Sequence, residues 1–237
     1  MQLKIDNLSK NFSSSTVLDG LTFEAKEEII FIAGRNGAGK TTFIRIATGL
    51  DKASGGSVLY DGGNFASVRH DVEVVFDENA LYPFASGKEN IRIFTDNRYS
   101  DSERIKEICD YFSLDERLLR RPVKTYSYGQ KHRLSVAIAM MCNPKYVFLD
   151  EPSLGLDPFS WDLVKKSLLR KKEEGCCIII TGQDYEEMAV LADKTLVLEK
   201  GKALFFGTSD ELLGKCPEAG SLKNAIIEMI GGCSDEK

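Results

Sequence analysis

Apolar residues in this chain fall into short blocks, and the block pattern changes character twice. Leu3 to Leu8 and Val17 to Phe23 alternate loosely and predict two strands. Ile29-Ile30-Phe31-Ile32-Ala33 is a continuous apolar run, the pattern of a buried strand. Phe43 to Leu50 reads as a helix ending near Gly49, and Val58 to Asp61 as a strand closed by a turn at Gly62-Gly63. Val72 to Phe76 predicts one more strand.

From about Ser86 to Cys142 the pattern turns helical. Ser86-x-x-Glu89, Ser100-x-x-Glu103, Ser113-x-x-Glu116 and Ser127-x-x-Gln130 each match a capping box, in which side chains satisfy the first backbone N–H groups of a helix. Apolar residues at helical spacing, among them Ile105, Ile108, Tyr111 and Phe112, follow these boxes. Strands then return at Tyr146 to Leu149, Cys177 to Thr181, Thr195 to Leu198 and Ala203 to Phe206. Helices are expected from about Phe159 to Lys172 and near Leu222 to Ile230. Strands alternating with helices imply a largely parallel sheet. No repeat, low-complexity tract or long linker interrupts the pattern.

Composition narrows the classes. A chain of 237 residues with 43% hydrophobic content has enough apolar material for a core, so disorder is excluded as a reading. The 31 basic and 36 acidic residues leave a net charge of −5, which argues against nucleic acid as a partner. No apolar stretch approaches the ~20 residues that span a bilayer. The first residues, Met1 to Asp6, do not read as a signal peptide. Cys109, Cys142, Cys176, Cys177, Cys216 and Cys233 show neither a C-x-x-C pair nor a His-flanked metal pattern, and Cys177 is expected in the core. A reducing cytosol is the expected setting.

The chemistry is concentrated between the first long apolar run and the helix after it. Gly34-Arg35-Asn36-Gly37-Ala38-Gly39-Lys40-Thr41-Thr42 matches the phosphate-cradling pattern G-x-x-x-x-G-K-[ST] and has the required strand before it and helix behind it. Glycines let successive N–H groups point inward, and the helix N-terminus adds partial positive charge. Lys40 is expected to reach the β- and γ-phosphates of a nucleoside triphosphate, and Thr41 to place its hydroxyl on Mg²⁺. Downstream, Tyr146-Val147-Phe148-Leu149 ends in Asp150-Glu151. Asp150 is placed to hold Mg²⁺ beside Thr41, and Glu151 to polarise a water for in-line attack.

Just before that strand, Tyr126-Ser127-Tyr128-Gly129-Gln130-Lys131-His132-Arg133 resembles the L-S-G-G-Q signature of the ATP-binding-cassette (ABC) ATPases. The resemblance covers nearly the whole chain and keeps the family's order. An early aromatic, Phe12, comes first, then the phosphate loop, a helical lobe, the signature, Asp-Glu, and Gly155-Leu156-Asp157-Pro158. It implies an α/β P-loop NTPase core with an N-terminal antiparallel β portion and an inserted helical lobe. The implied layout is one nucleotide-binding domain over 1–237, with its core in 1–85 and 143–237 and its lobe in 86–142.

The resemblance further implies a head-to-tail dimer in which Ser127, Tyr128, Gly129 and Gln130 face ATP held by the other chain. Ser127 also reads as an ordinary N-cap. Phe12 would stack on adenine or, alternatively, pack in the core, and Asp157 would lie across the dimer seam. A separate transmembrane subunit is the implied partner, with this chain cytoplasmic and peripheral on the inner face of the cell membrane. The region Tyr82 to Phe84 is expected either to dock against it or, equally, to pack inside the lobe.

Three positions depart from the family pattern. Asp77 stands where the family has a glutamine that contacts Mg²⁺ and the attacking water. Gln183 stands where the family has a histidine, so it can donate a hydrogen bond but cannot carry an imidazolium charge. Tyr128 replaces the first signature glycine, as in some members of the exporter-like branch. ATP binding is therefore expected to be intact and hydrolysis at this chain's own site slow. Pairing with a more complete cassette and pairing with a second copy both remain open.

Overall fold

The computed structural model describes residues 1–13, 15–78, 80–95 and 102–232. Ser100, the cap of one expected box, and Cys233 lie outside the described residues.

Three strands, β1 (Leu3–Phe12), β2 (Ser15–Ala25) and β4 (Gly55–Tyr60), form an antiparallel sheet in the order β2-β1-β4. Between them in sequence come β3 (Ile29–Ala33) and α1 (Lys40–Ala47). A second sheet has the order β5-β6-β7-β3-β8-β9, built from β5 (Val72–Val75), β6 (Tyr146–Leu149), β7 (Cys177–Gly182), β8 (Lys194–Glu199) and β9 (Lys202–Gly207). Its first five strands run parallel, and β9 closes one edge antiparallel to β8.

The continuous apolar runs have a physical cause in this layering. Ile29, Phe31 and Ala33 of β3 join one hydrophobic cluster, while Ile30 and Ile32 join the other. Val147 and Leu149 are likewise split from Tyr146 and Phe148, and Ile178 and Ile180 from Cys177 and Ile179. Both faces of the central strands are covered, so polar alternation disappears. The second cluster glues the two sheets and α1 together. There the Tyr60 ring meets Tyr146 edge-on at 4.8 Å, and its hydroxyl donates to the Ala47 carbonyl at 2.6 Å.

Of the helices between β5 and β6, two open on capping boxes that the sequence predicts and one does not. After α2 (Phe65–Val68), α3 (Gly87–Phe94) opens on Ser86 with both halves of the capping box formed. α4 (Ser102–Tyr111) follows, and Ile91, Cys109 and Phe112 join the first cluster. The box expected at Ser113 does not form. Ser113 has φ 53° and closes the turn after α4, with Leu114 N–H donating to the Cys109 carbonyl at 2.8 Å. The cap of α5 (Glu116–Leu119) is instead Asp115, which accepts from Leu118 N–H at 2.7 Å. A carboxylate two residues nearer the helix wins, because it adds favourable charge at the dipole's positive end. α6 (Tyr128–Met141) opens on Ser127 with its box complete.

In the remainder, α7 (Pro158–Glu173) carries Asp157 at its N-cap, Pro158 in its first turn and Arg170, Lys171 and Lys172 in its last. α8 (Tyr185–Leu191), α9 (Ser209–Lys215) and α10 (Leu222–Gly232) complete the chain. Periodicity anticipates neither α2, α8 nor α9, since four to seven residues are too few to establish a helical repeat.

Candidate active site

Three parallel strands, β3, β6 and β7, end side by side, and each delivers part of one polar cluster at its C-terminal end. After β3 the chain turns through Gly34 to Gly39 and enters α1. Gly39 sits at φ 110°, and a Cβ there would lie 2.8 Å from the Val17 carbonyl, so this tight entry into the helix requires glycine. Asn36, Gly37, Ala38, Gly39, Lys40, Thr41 and Thr42 line a cavity of about 760 Å³ that also meets Val17, Phe76, Asp77, Asp150, Glu151 and Gln183. That size suits a nucleotide-scale ligand.

Lys40 is buried, and its ammonium donates to the Gly34 carbonyl at 2.8 Å and the Arg35 carbonyl at 3.3 Å. It also lies 3.9 Å from a Glu151 carboxylate oxygen. Burial pulls its pKa down, opposed by the charges of Glu151 and Asp150. Gly34 and Arg35 thus form the base of the loop and anchor its lysine.

Thr41 donates its hydroxyl to one oxygen of Asp150 at 2.7 Å, and Thr181 donates to the other at 2.5 Å. The same Thr181 oxygen accepts the backbone N–H of Glu151 at 3.1 Å. Glu151 holds φ 55°, a left-handed conformation rare outside glycine, so the strand end turns sharply and aims its carboxylate along the cavity. Burial pushes its pKa above the usual carboxylate range, with Lys40 working against the shift. Gln183, at the end of β7, donates its amide to Glu151 at 3.5 Å.

This donor set fits Mg²⁺. A threonine hydroxyl and a carboxylate, both hard oxygen donors, stand together at the mouth of the phosphate loop, and Mg²⁺ binds through one or two carboxylates plus substrate phosphates. Among the described residues no group of three His, Cys, Asp or Glu side chains gathers to hold a metal, which is the pattern of a dedicated all-protein cage.

The remaining sequence candidates fall elsewhere. Phe12 stands at the end of β1, 47% exposed, with the Lys10 ammonium 4.6 Å from its ring centre. It is not core packing, and it lies outside the cavity, although β2 of the same hairpin contributes Val17. Ser127, Tyr128, Gly129 and Gln130 form the first turn of α6, and none lines the cavity. Ser127 caps the helix, accepting from Gln130 N–H at 3.2 Å, and the Gln130 side chain answers at 3.0 Å. Asp157 caps α7 through Ser160, which holds its carboxylate below the usual range.

Sequence reasoning misses Thr181. Its only signal is a polar residue closing an otherwise apolar strand, yet it ties Asp150 to the Glu151 backbone. Thr181→Val is expected to leave Asp150 short of a donor and the Glu151 N–H unpaired at a part-buried position. We expect a stability loss of about 1–3 kcal/mol, read by urea unfolding, and a higher Mg²⁺ concentration for half-maximal turnover. Unchanged stability with unchanged metal dependence would show that Thr181 is a bystander.

Comparison with known proteins gives the family and a likeness of fold. A family model described as "ABC transporter" matches residues 18–154. An uncharacterised ABC transporter ATP-binding protein of Bacillus subtilis, YhcH, is 34% identical over 209 residues, covering 85% of this chain and 68% of that protein. The lantibiotic transport ATP-binding protein SrtF of Streptococcus pyogenes is 32% identical over 206 residues, covering 85% of this chain and 89% of that one. Among solved structures, one titled as the ATP-binding subunit of an ABC transporter superposes with a TM-score of 0.88 at 24% identity. It covers 97% of this chain and 99% of its own, a likeness of fold.

Proposed function

This chain belongs to the ABC transporter family, and from that premise we propose that it is an ATP-hydrolysing subunit driving a separate membrane subunit. The observation that carries this reading is the polar chain Thr41–Asp150–Thr181–Glu151 beneath the phosphate loop. It joins a cation-holding pair to a base in one rigid unit.

In this reading the N–H groups at the start of α1 and the Lys40 ammonium bind the β- and γ-phosphates. Thr41 and Asp150 hold Mg²⁺, with Asp77 a further candidate at the cavity wall. When bound, Mg²⁺ neutralises charge on the phosphate oxygens. Glu151 orients and deprotonates the attacking water, and Gln183 donates a hydrogen bond toward the γ-phosphate. Phe12 flanks the adenine.

A second cassette completes the site. Ser127, exposed at the head of α6, and the half-buried Gly129 with its N–H face ATP held by the other chain, and Asp157 crosses the seam between them. ATP-driven closure is then passed to the membrane subunit, and hydrolysis resets it. We divide the chain into a core of 1–85 and 143–237 and a lobe of 86–142. Tyr82 and Phe84, 53% and 79% exposed beside Pro83, form the docking edge for the membrane subunit. Among the described residues no helix is long and apolar enough to cross a membrane, so we place the chain on the membrane's inner, cytoplasmic face through that partner. Asp77 and Gln183 keep a second reading alive, an ATP-sensing module that binds nucleotide but scarcely turns it over.

The test is to isolate the chain from detergent-solubilised native membranes and identify what accompanies it. A multi-span protein, with either a second cassette or another copy of this chain, is expected. Soluble partners alone, or none, would overturn the transporter reading.

A further inference from the structure

Two of the three positions at which this chain departs from the family pattern, Asp77 and Tyr128, touch each other. The Tyr128 hydroxyl donates to the Asp77 carboxylate and approaches the Asp77 backbone oxygen at 3.3 Å. Asp77 lies in the loop that leaves β5 and lines the cavity, while Tyr128 opens α6. The contact therefore bridges the loop at the cavity wall and the turn that carries Ser127 and Gly129.

The ring of Tyr128 is held on the sides that do not face Asp77. It runs parallel to the His132 ring, with 6° between planes and 6.2 Å between centres. It also rests on Gly155, where φ is 67° and an added Cβ would lie 2.4 Å from a Tyr128 ring carbon. His132 is fully buried, and burial lowers its pKa, so it offers a flat neutral surface. The ring packing fixes where the hydroxyl points, and the hydroxyl then fixes Asp77.

We propose that Tyr128 is a positioning residue that latches Asp77, tying the start of α6 to the loop after β5 and keeping the Asp77 carboxylate on a donor. The proposal rests on the reading that this cavity binds ATP. A carboxylate placed beside phosphates repels them unless something satisfies it. The phenol supplies that partner within the same chain, so the tyrosine compensates for the aspartate. A glycine at position 128 would bring no hydroxyl to the loop after β5. The latch also makes the loop and the signature turn move as one.

Tyr128→Phe removes the hydroxyl and keeps the ring on His132 and Gly155, so packing alone gives it no effect. It is to be compared with the wild type, Asp77→Ala and the double variant as full-length chains. One readout is steady-state ATPase kinetics. The other is amide hydrogen exchange over residues 76–78 and 127–131 in the absence of nucleotide. Tyr128→Phe is expected to raise KM for ATP about fivefold with a smaller change in kcat, and to speed exchange in both segments by a similar factor. In the Asp77→Ala background the same change is expected to do almost nothing, because the acceptor and its charge are gone. Equal effects in both backgrounds, or unchanged exchange in both segments, would overturn the latch. If the wild-type chain binds no ATP, the ATPase reading fails by itself, and the exchange data still decide whether the latch exists.

Discussion

Glu151→Gln is expected to lower ATP turnover by about 10²–10⁴-fold, the range a positioned general base supplies, while leaving ATP binding nearly unchanged. The substitution keeps the side chain's length and its place after β6. The backbone N–H of Glu151 still donates to Thr181, so the left-handed turn keeps its anchor. What is lost is the ability to take a proton from water. Lys40 also loses a neighbouring negative charge 3.9 Å away, which strengthens rather than weakens its hold on phosphate. The variant should therefore trap nucleotide, and closed dimers should accumulate in size-exclusion runs with ATP.

The pH dependence follows from the same geometry. Burial raises the pKa of Glu151 above the usual carboxylate range. The base must be ionised to act, so turnover in the wild type should rise with pH through that raised value. Below it the base is protonated and the rate falls. The Gln variant should lose this limb altogether. Turnover within a fewfold of wild type in Glu151→Gln would remove Glu151 from the role of base, and the polar chain beneath the loop would then need another explanation.

How far this site can be read from the sequence depends on what the chain encodes locally. β3 and β6 have the bounds the apolar runs set, because strands covered on both faces leave a signal with no competing period. The phosphate loop is equally local, since a few consecutive residues must provide turn, cradle and helix start. The Ser113 box fails for the opposite reason. Two caps two residues apart, Ser113 and Asp115, compete there, and the choice depends on how the chain leaves α4. Thr181 is invisible for a topological reason, being 31 residues from Asp150 until β6 and β7 pair. The Tyr128–Asp77 contact joins residues 51 apart, with α3, α4 and α5 between them in the chain. In the sequence these are two separate oddities, and only the fold brings them together.

Gln183→His should raise kcat by at least about tenfold if a missing charged donor is what slows this site, since one such donor is commonly worth ~10²–10³ in rate and the native amide recovers part of it. The position is right for the exchange. Gln183 follows directly on β7 and lies 3.5 Å from Glu151, so a ring there reaches the same side of the cavity. An amide offers a neutral N–H, whereas an imidazolium adds a full positive charge where negative charge grows on the γ-phosphate. KM should move little, because the added interaction strengthens mainly in the transition state. The gain should also fade as pH rises through the histidine's range near ~6.5, when the ring becomes neutral. Combining the change with Glu151→Gln should erase the gain, since a charged donor has no reaction to assist without the base. A wild-type chain already running at ordinary enzymatic rates, about 1–10³ s⁻¹, together with no gain in Gln183→His, would mean that the amide suffices and that this site is not weakened. Pairing with a more complete cassette would then have no catalytic reason, and two copies of this chain would be able to drive the cycle alone.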